Sequence, residues 1–542
     1  MMHQGLRLFH TARYLRLQQM GYRLWYRLRR PAPDLRLAPP IRPLPENWVI
    51  PVGKPAAMVA KGRFRFLNEE HAASSAADWN NPAVPKLWLY NLHYFDDLCA
   101  ADAATRRDQH LSLIRRWIAE NSPGHGNGWE PYPLSLRIVN WVKWVLAGNE
   151  LPLDAGQSLA VQARHLRKCL EYHLLGNHLW GNAKALVFAG LFFAGEEAEE
   201  WLKKGLVILD QEIGEQILPD GGHFERSPMY HAIILEDLLD LVNLFQSYGV
   251  QAPANWLDAL ARMRRWLQTM RHPDGEIVLF NDAAFGIAPR AAALEAYADR
   301  LRLGPAPTWD DETAVHLWNT GYLRLQQGEA MAFLDVGPIG PDYIPGHAHA
   351  DTLNFELSLC GQRVIVDSGT STYEKNSERQ RQRGTSAHNT VQINGEDSSE
   401  VWGGFRVARR ARPFGLSIEE RPDEVHVSCA HDGYRRLKGQ PIHRRVWVLG
   451  QKDLSIHDTI EGKFREAIVR YHFHPEVQVE LSGKGAGRGI LPGGQGFVFN
   501  VSGGVARLID TTYHPEFNVS LPTRCLEVAF EGAACQLFFS WS

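Results

Sequence analysis

Pro345-Gly-His-Ala-His-Ala-Asp351 leads into Leu353-Asn-Phe-Glu-Leu-Ser-Leu359 and then, past Gly361, into Arg363-Val-Ile-Val-Asp367. In extended backbone, residues two apart share a face, so His347 and His349 point the same way. Leu353–Leu359 alternates apolar and polar with period two, the pattern of a half-buried strand. Gly361 turns the chain, and the next run returns antiparallel, carrying Asp367 back toward the histidines. A third histidine, in Ser386-Ala-His-Asn-Thr-Val391, opens another apolar run. Two histidines and an aspartate on adjacent strands can hold a divalent cation, and neutral imidazoles with a carboxylate suit zinc. The same spacing also suits ordinary polar residues at strand ends, and spacing by itself leaves both readings open.

Outward from this stretch, short strands separated by Gly and Asp turns recur: Gly321–Leu325, Met331–Asp335, Arg444–Val448, Ile468–Phe473 and Cys535–Phe539. Many short strands at this pace predict a large antiparallel β-sandwich. Before Pro307 the period is helical. Leu111, Ile114, Trp117 and Ile118 form one apolar stripe, and Leu136, Val139, Val142 and Leu146 another. Further helices are expected near 156–175, 182–194, 197–217, 228–247, 254–271 and 289–302. Paired helices in this number fit an incomplete α/α toroid whose loops line a groove. The fold class is therefore multidomain α + β, an incomplete α/α toroid followed by a large antiparallel β-sandwich. The regions are 1–85, a basic N-terminal helix and proline-rich arm with a short strand at Gly62–Leu67; 86–310, the toroid; and 311–542, the sandwich.

At 542 residues the chain exceeds what one core usually serves. A net charge of −3 excludes neither an acidic nor a neutral ligand, and no motif points to nucleic acid. The six cysteines are scattered without metal spacing and read as free thiols. Arginines from Arg7 to Arg30 precede the first acid, Asp34, and interleave with Tyr14, Leu15, Leu17, Met20, Tyr22, Leu24 and Trp25. Such a basic amphipathic helix either docks on the rest of the protein, the reading favoured here, or makes peripheral contact with an acidic membrane surface. With no secretory leader and no apolar run of spanning length, a cytoplasmic location is expected, atypical export being the alternative.

Three polar stretches interrupt the helical half. Leu175-Gly-Asn-His-Leu-Trp-Gly-Asn-Ala183 places Asn177 and His178 after a glycine taken to end a helix, which lets them face a groove or simply cap it. Gly221-Gly-His-Phe-Glu-Arg-Ser-Pro-Met-Tyr230 runs through Glu225 and Arg226 to Tyr230 at a helix start, and reads equally as a turn with a solvated charge pair. Asn127-Gly-Trp-Glu-Pro-Tyr132 offers Trp129 for stacking on a sugar, or a structural turn.

Taken with Gly-His-x-His-x-Asp, an aspartate eighteen residues past His349, and Ala-His-Asn-Thr-Val, these stretches resemble the heparinase II/III-like polysaccharide lyases. The resemblance runs from about Asn91 to about Val407 and is most specific in the strand motifs. It implies that His349, Asp367 and His388 hold one divalent metal, zinc, in a structural role. It implies that Asn177 with His178 binds a uronate carboxylate, that Tyr230 is an acid or base, and that His347 approaches from the sandwich. Tyr373 lies near the position of a second tyrosine in alginate-cleaving relatives, one residue out of register. Trp129, Glu225 and Arg226 are candidate substrate contacts.

The implied activity is β-elimination on a uronate-containing, acidic polysaccharide, leaving a 4,5-unsaturated end. Removing the weakly acidic C5 proton needs donors on the carboxylate and a base of suitable pKa. A glycoside hydrolase on the same toroid is one alternative; it needs two carboxylates about 5–10 Å apart, with Glu130, Asp220, Glu225 and Asp282 as candidates. A non-catalytic glycan-binding or exopolysaccharide-biosynthesis protein is the other. The polymer and the oligomeric state stay open.

Overall fold

The computed structural model describes residues 2–29, 31–306 and 312–542. The expected boundary between residues 310 and 311 lies outside the described residues. The helices are α1 (Met2–Ala12), α2 (Leu17–Leu28), α3 (Lys86–Tyr94), α4 (Arg107–Glu120), α5 (Pro131–Leu146), α6 (Leu153–Lys168), α7 (Gly176–Phe192), α8 (Glu196–Gln216), α9 (Pro228–Ser247), α10 (Ala254–Thr269), α11 (Ala291–Arg300) and α12 (Ser377–Arg383).

Helices α3 to α11 form the toroid around a core rich in tryptophan, with Trp88, Trp117, Trp141, Trp180, Trp201 and Trp256 buried. α7 is buried along nearly all of its length, as expected of a helix with no polar stripe. It lies against α8 through Gly190 and Gly205. A Cβ on Gly190 would stand 2.5 Å from the Leu202 amide nitrogen, and one on Gly205 2.8 Å from the Ala183 carbonyl. α5 and α9 begin with Pro131 and Pro228, where the missing N–H costs nothing. Ser227 caps α9, its hydroxyl accepting from the Tyr230 amide at 3.2 Å.

One expected helix boundary moves. α6 ends at Lys168 and α7 begins at Gly176, because Leu175 and Gly176 both take positive φ (68° and 57°) and break the chain between them. Asn177 and His178 therefore open a helix instead of following one, which places them at the positive end of its dipole.

Residues 31–85 run against the toroid as largely irregular chain. The chain bonds to the toroid at Arg42 N to Phe192 O and Lys54 N to Cys99 O, both 2.9 Å. Its strand is one of three in a small antiparallel sheet, Met58–Ala60, Arg63–Phe66 and Glu69–Ala72.

The strands from Ala314 onward build the sandwich from antiparallel sheets. A five-stranded meander runs through Ala314–Leu317, Tyr322–Gln327, Ala330–Asp335, Phe355–Leu359 and Gln362–Ile365. An eight-stranded sheet seats the last strand, Ala534–Trp541, between Asp453–Glu461 and Gly496–Ser502. The hairpin read from the sequence is present: Leu359 pairs Gln362 and Ser358 pairs Arg363. Cys360 (φ 51°) and Gly361 (φ 78°) make the two-residue turn whose positive φ values match the strand twist.

Toroid and sandwich meet along a seam. Arg226 donates to the carbonyls of Pro338 (2.7 Å) and Asn319 (3.1 Å). Asp220 accepts from the amides of Asn319 (2.8 Å) and Thr320 (2.7 Å). A tongue, Ile277 to Asp282, lies between the two halves, its Leu279 amide donating to Glu356 at 2.7 Å.

Candidate active site

The seam brings together side chains that are far apart in sequence. Tyr230, in the first turn of α9, lies flat on His347 from the sandwich, ring centroids 3.9 Å apart. Its hydroxyl is 3.2 Å from that of Tyr373. Both phenols sit beneath the surface, and burial pushes their pKa values well above 10, each reinforced by a neighbouring acidic group. They are proton donors at neutral pH.

Asp282 is the hub beneath them. One carboxylate oxygen accepts from His347 Nδ1 (2.9 Å) and the other from His349 Nε2 (2.8 Å). Arg379 of α12 binds both oxygens, 2.7 Å at one of them. Burial pushes the Asp282 pKa up, but Arg379 and the two histidines outweigh it and hold the carboxyl well below its ordinary range. An ionised carboxylate can only accept, so His347 Nδ1 and His349 Nε2 each carry the hydrogen that faces it; burial, outweighing Asp282, lowers the His349 pKa to about 4 and leaves its Nδ1 unprotonated.

On the toroid side, His347 Nε2 is 3.7 Å from Glu225. Glu225 in turn abuts the start of α7, where a Cβ on Gly176 would stand 2.5 Å from its Oε1. Both Glu225 oxygens are buried without a hydrogen-bond partner. Burial raises its pKa against the pull of His347 and His178. His178 stacks on Tyr132 at 4.5 Å and donates from Nδ1 to Glu171 at 3.0 Å. Burial lowers the His178 pKa, yet Glu171 more than offsets this and the net shift is upward. Asn177, His178, Glu225, Tyr230, His347 and Tyr373 thus cluster at one place on the seam, the groove expected from the sequence.

Two expected substrate contacts are corrected. Trp129 is 4% exposed and packs on Trp117 (5.7 Å) and His165 (5.4 Å), inside the toroid core. Arg226 has φ 59° and turns its guanidinium into the seam, where it holds the Pro338 and Asn319 loops instead of facing the crevice.

Below His349 lies a buried cluster. Asp351, Asp367 and His388 each offer a ligand atom within 4.8 Å of the others. His388 Nδ1 donates to Asp367 at 2.7 Å, and its Nε2 faces away from that bond. His388 Nε2, His349 Nδ1 and Asp351 Oδ2 are all buried without a partner. Buried polar atoms in this state fit a ligand that is not protein, and the nitrogen and oxygen donor set suits zinc. The expected ligands Asp367 and His388 are gathered here, Asp351 joins them, and His349 stands beside them with its ring 5.3 Å from that of His388.

The sequence matches two family descriptions, heparinase II/III N-terminus over residues 155–305 and heparinase II/III-like, C-terminal over residues 310–542. The chain belongs to the heparinase II/III-like family. One relative, a heparin-sulfate lyase of Bacteroides stercoris, is 25% identical over 333 residues, covering 57% of this chain and 47% of the relative. This chain thus spans about half the length of that heparinase relative. The FtsZ-localized protein C of Caulobacter vibrioides is 27% identical over 431 residues, covering 73% of this chain and 71% of that one. The crystal structure of heparinase III shares the fold, with a TM-score of 0.74 at 18% identity over 96% of this chain and 89% of the other.

Asp282, Arg379 and Asp351 carry much of the geometry of this site; the sequence offered Asp282 only as a hydrolase carboxylate, and neither Arg379 nor Asp351 as a site residue. Asp351 closes the Gly-His-x-His-x-Asp motif and so had a signal. Asp282 stands in Phe280-Asn-Asp-Ala, whose letters read as a turn, and Arg379 in an exposed-looking polar helix.

Proposed function

We propose that this chain is a polysaccharide lyase that cleaves a uronate-containing glycosaminoglycan by β-elimination. The observation that carries the reading is the stack of Tyr230 on His347, with the imidazole oriented by an ionised Asp282. In this arrangement His347 Nε2 accepts the C5 proton. The C5–H electrons form the C4=C5 double bond, and the C4–O4 pair leaves on O4. Tyr230, held protonated by burial, donates its proton to O4, and after product leaves the imidazolium of His347 loses its proton to water while the Tyr230 phenolate takes one from water. Asn177, cationic His178 and the amide end of α7 stabilise the charge that develops on the carboxylate.

A metal at Asp351, Asp367 and His388 would supply a structural cross-link beneath the histidine pair. The proton transfers belong to His347 and Tyr230.

The hydrolase alternative loses its carboxylates. Asp282 is consumed by Arg379, Asp220 by backbone amides, and Glu130 by Lys86 and Tyr90. Glu225 alone remains in the crevice, and hydrolysis needs two. The relatives named as heparin-sulfate lyases support a glycosaminoglycan as the polymer. A second reading is a protein that binds glycan without cleaving it; what favours it is that a relative matched over 73% of this chain carries a name that states no lyase activity.

Incubating the protein with a panel of uronate polymers separates the three. New near-ultraviolet absorbance from the C4=C5 bond marks a lyase. Reducing ends without that absorbance mark a hydrolase, and binding with neither marks a protein that only binds.

A further inference from the structure

Helix α2 docks on the body by its polar side. Its inward residues are Gln19, Tyr22 and Tyr26. Gln19 is buried and donates to the Tyr343 (3.2 Å) and Leu174 (3.4 Å) carbonyls, Tyr22 stacks on Tyr172 at 4.8 Å, and Tyr26 donates to Leu170 O. At 100° per residue, Leu17, Met20, Leu24, Trp25 and Leu28 share the opposite face, at the i, i+3, i+7, i+8, i+11 positions of an apolar stripe. That face looks outward: Leu17 is 83% exposed, Leu28 77%, and Met20, Leu24 and Trp25 are exposed as well. α1 continues the surface with exposed Leu6, Leu8 and Phe9, while its Thr11 is fixed to the sandwich by Trp402 Nε1 at 3.1 Å.

A helix that hides tyrosine and glutamine and shows leucine to solvent is oriented for another apolar phase. The charge around it says which. Before Pro33 the sequence carries seven arginines and no acid. Arg23, Arg27 and Arg29 flank the stripe and form no ion pair with a carboxylate among the described residues, and Arg29 lies over the Trp25 ring at 5.2 Å. Arginines bordering a leucine stripe can rest their stems on acyl chains and reach phosphates with their heads, and tryptophan favours the same interface. No helix among the described residues is long and apolar enough to cross a membrane.

We propose that α1 and α2 form a peripheral docking surface for an anionic lipid bilayer. A second copy of this chain is the poorer occupant, because pairing the surface with itself would set one arginine cluster against another. Because Gln19 bonds both the loop leading to Asn177 and the loop leading to His347, docking would hold the crevice beside the lipid surface. The surface itself stands independently of the lyase reading, since none of its residues touches the crevice chemistry.

The test is cosedimentation of the full chain with vesicles of phosphatidylcholine alone or mixed with phosphatidylglycerol, across a salt series. Binding is expected only with the anionic lipid, weakening as salt rises. The double variant Leu24→Glu/Leu28→Glu should abolish it, and Arg23→Gln and Arg27→Gln should each weaken it about fivefold. Leu153→Glu, at an exposed leucine on α6, should bind as the unaltered protein does. Failure of the unaltered protein to bind anionic vesicles overturns the proposal. So does binding that survives Leu24→Glu/Leu28→Glu. A concentration-dependent dimer that this double variant breaks, without vesicle binding, would assign the face to a second copy instead.

Discussion

Tyr230 and His347 lie ring on ring, 3.9 Å between centroids with 30° between planes, one carried by a toroid helix and the other by a sandwich loop. The pair exists only because the two halves are docked. The seam contacts from Asp220, Arg226 and Asp282 are therefore part of the site's construction, although none of those groups is free to react.

Tyr230→Phe removes one hydroxyl and keeps the stack. The lost bond to Tyr373 costs about 1 kcal/mol of stability, so the variant should fold normally. Loss of the proton donor to O4 should lower kcat about 10²–10⁴-fold. Initial rates of double-bond absorbance on a cleaved polymer measure this. Rates equal to those of the unaltered protein would remove Tyr230 from the mechanism.

Asp282→Asn leaves shape nearly intact and removes the charge that Arg379, His347 and His349 all face. An uncompensated buried arginine typically costs about 3–5 kcal/mol. The His347 tautomer also loses its anchor, so activity should fall even under conditions where circular dichroism shows a native fold. Thermal unfolding and kcat should both drop. A variant with a normal melting temperature would mean that Asp282 is not ionised.

Much of this architecture was legible in the letters. The helical and strand periods differ sharply on either side of Pro307, and each reports how a segment buries its own face. The Cys360-Gly361 hairpin and the cap at Ser227 carry local signals of the same kind. The seam has no such signal. Trp129 looked like a sugar platform because its neighbours, Gly128 and Pro131, suggest a loop; the structure buries it because Trp117 and His165 surround it from other helices. Arg226 looked available, but its positive φ turns it toward Pro338. Asp282 meets His347 and His349 only through tertiary docking, and no spacing in the chain records that.

The buried cluster of Asp351, Asp367 and His388 predicts a linked loss of metal and stability. His388→Ala and Asp351→Asn should each lower metal content in the purified protein, and His349→Ala should do so as well. Each kcal/mol lost should lower Tm by roughly 2–4 °C. Elemental analysis beside thermal melts, with and without a chelator, checks the pairing. Metal content unchanged in His388→Ala would dismiss the cluster as a metal centre.

Glu212 supplies a pH signature remote from the chemistry. It lies on α8, where burial pushes its pKa up to about 7, with Glu215 adding to the rise and the Gln216 hydrogen bond opposing it. The folded protein therefore holds a proton, between about pH 4.5 and about pH 7, that the unfolded chain has released. Because the folded state binds the extra proton, stability falls as pH rises through that window and levels off above it. Glu212→Gln removes the titration while leaving an oxygen for Gln216 to bond. It should raise stability above about pH 7 by up to about 3 kcal/mol and change little below about pH 4. Calorimetric melts of both proteins across this range give the answer: the two curves should converge in acid and separate toward neutrality, whereas parallel curves would show that Glu212 titrates like an exposed carboxylate.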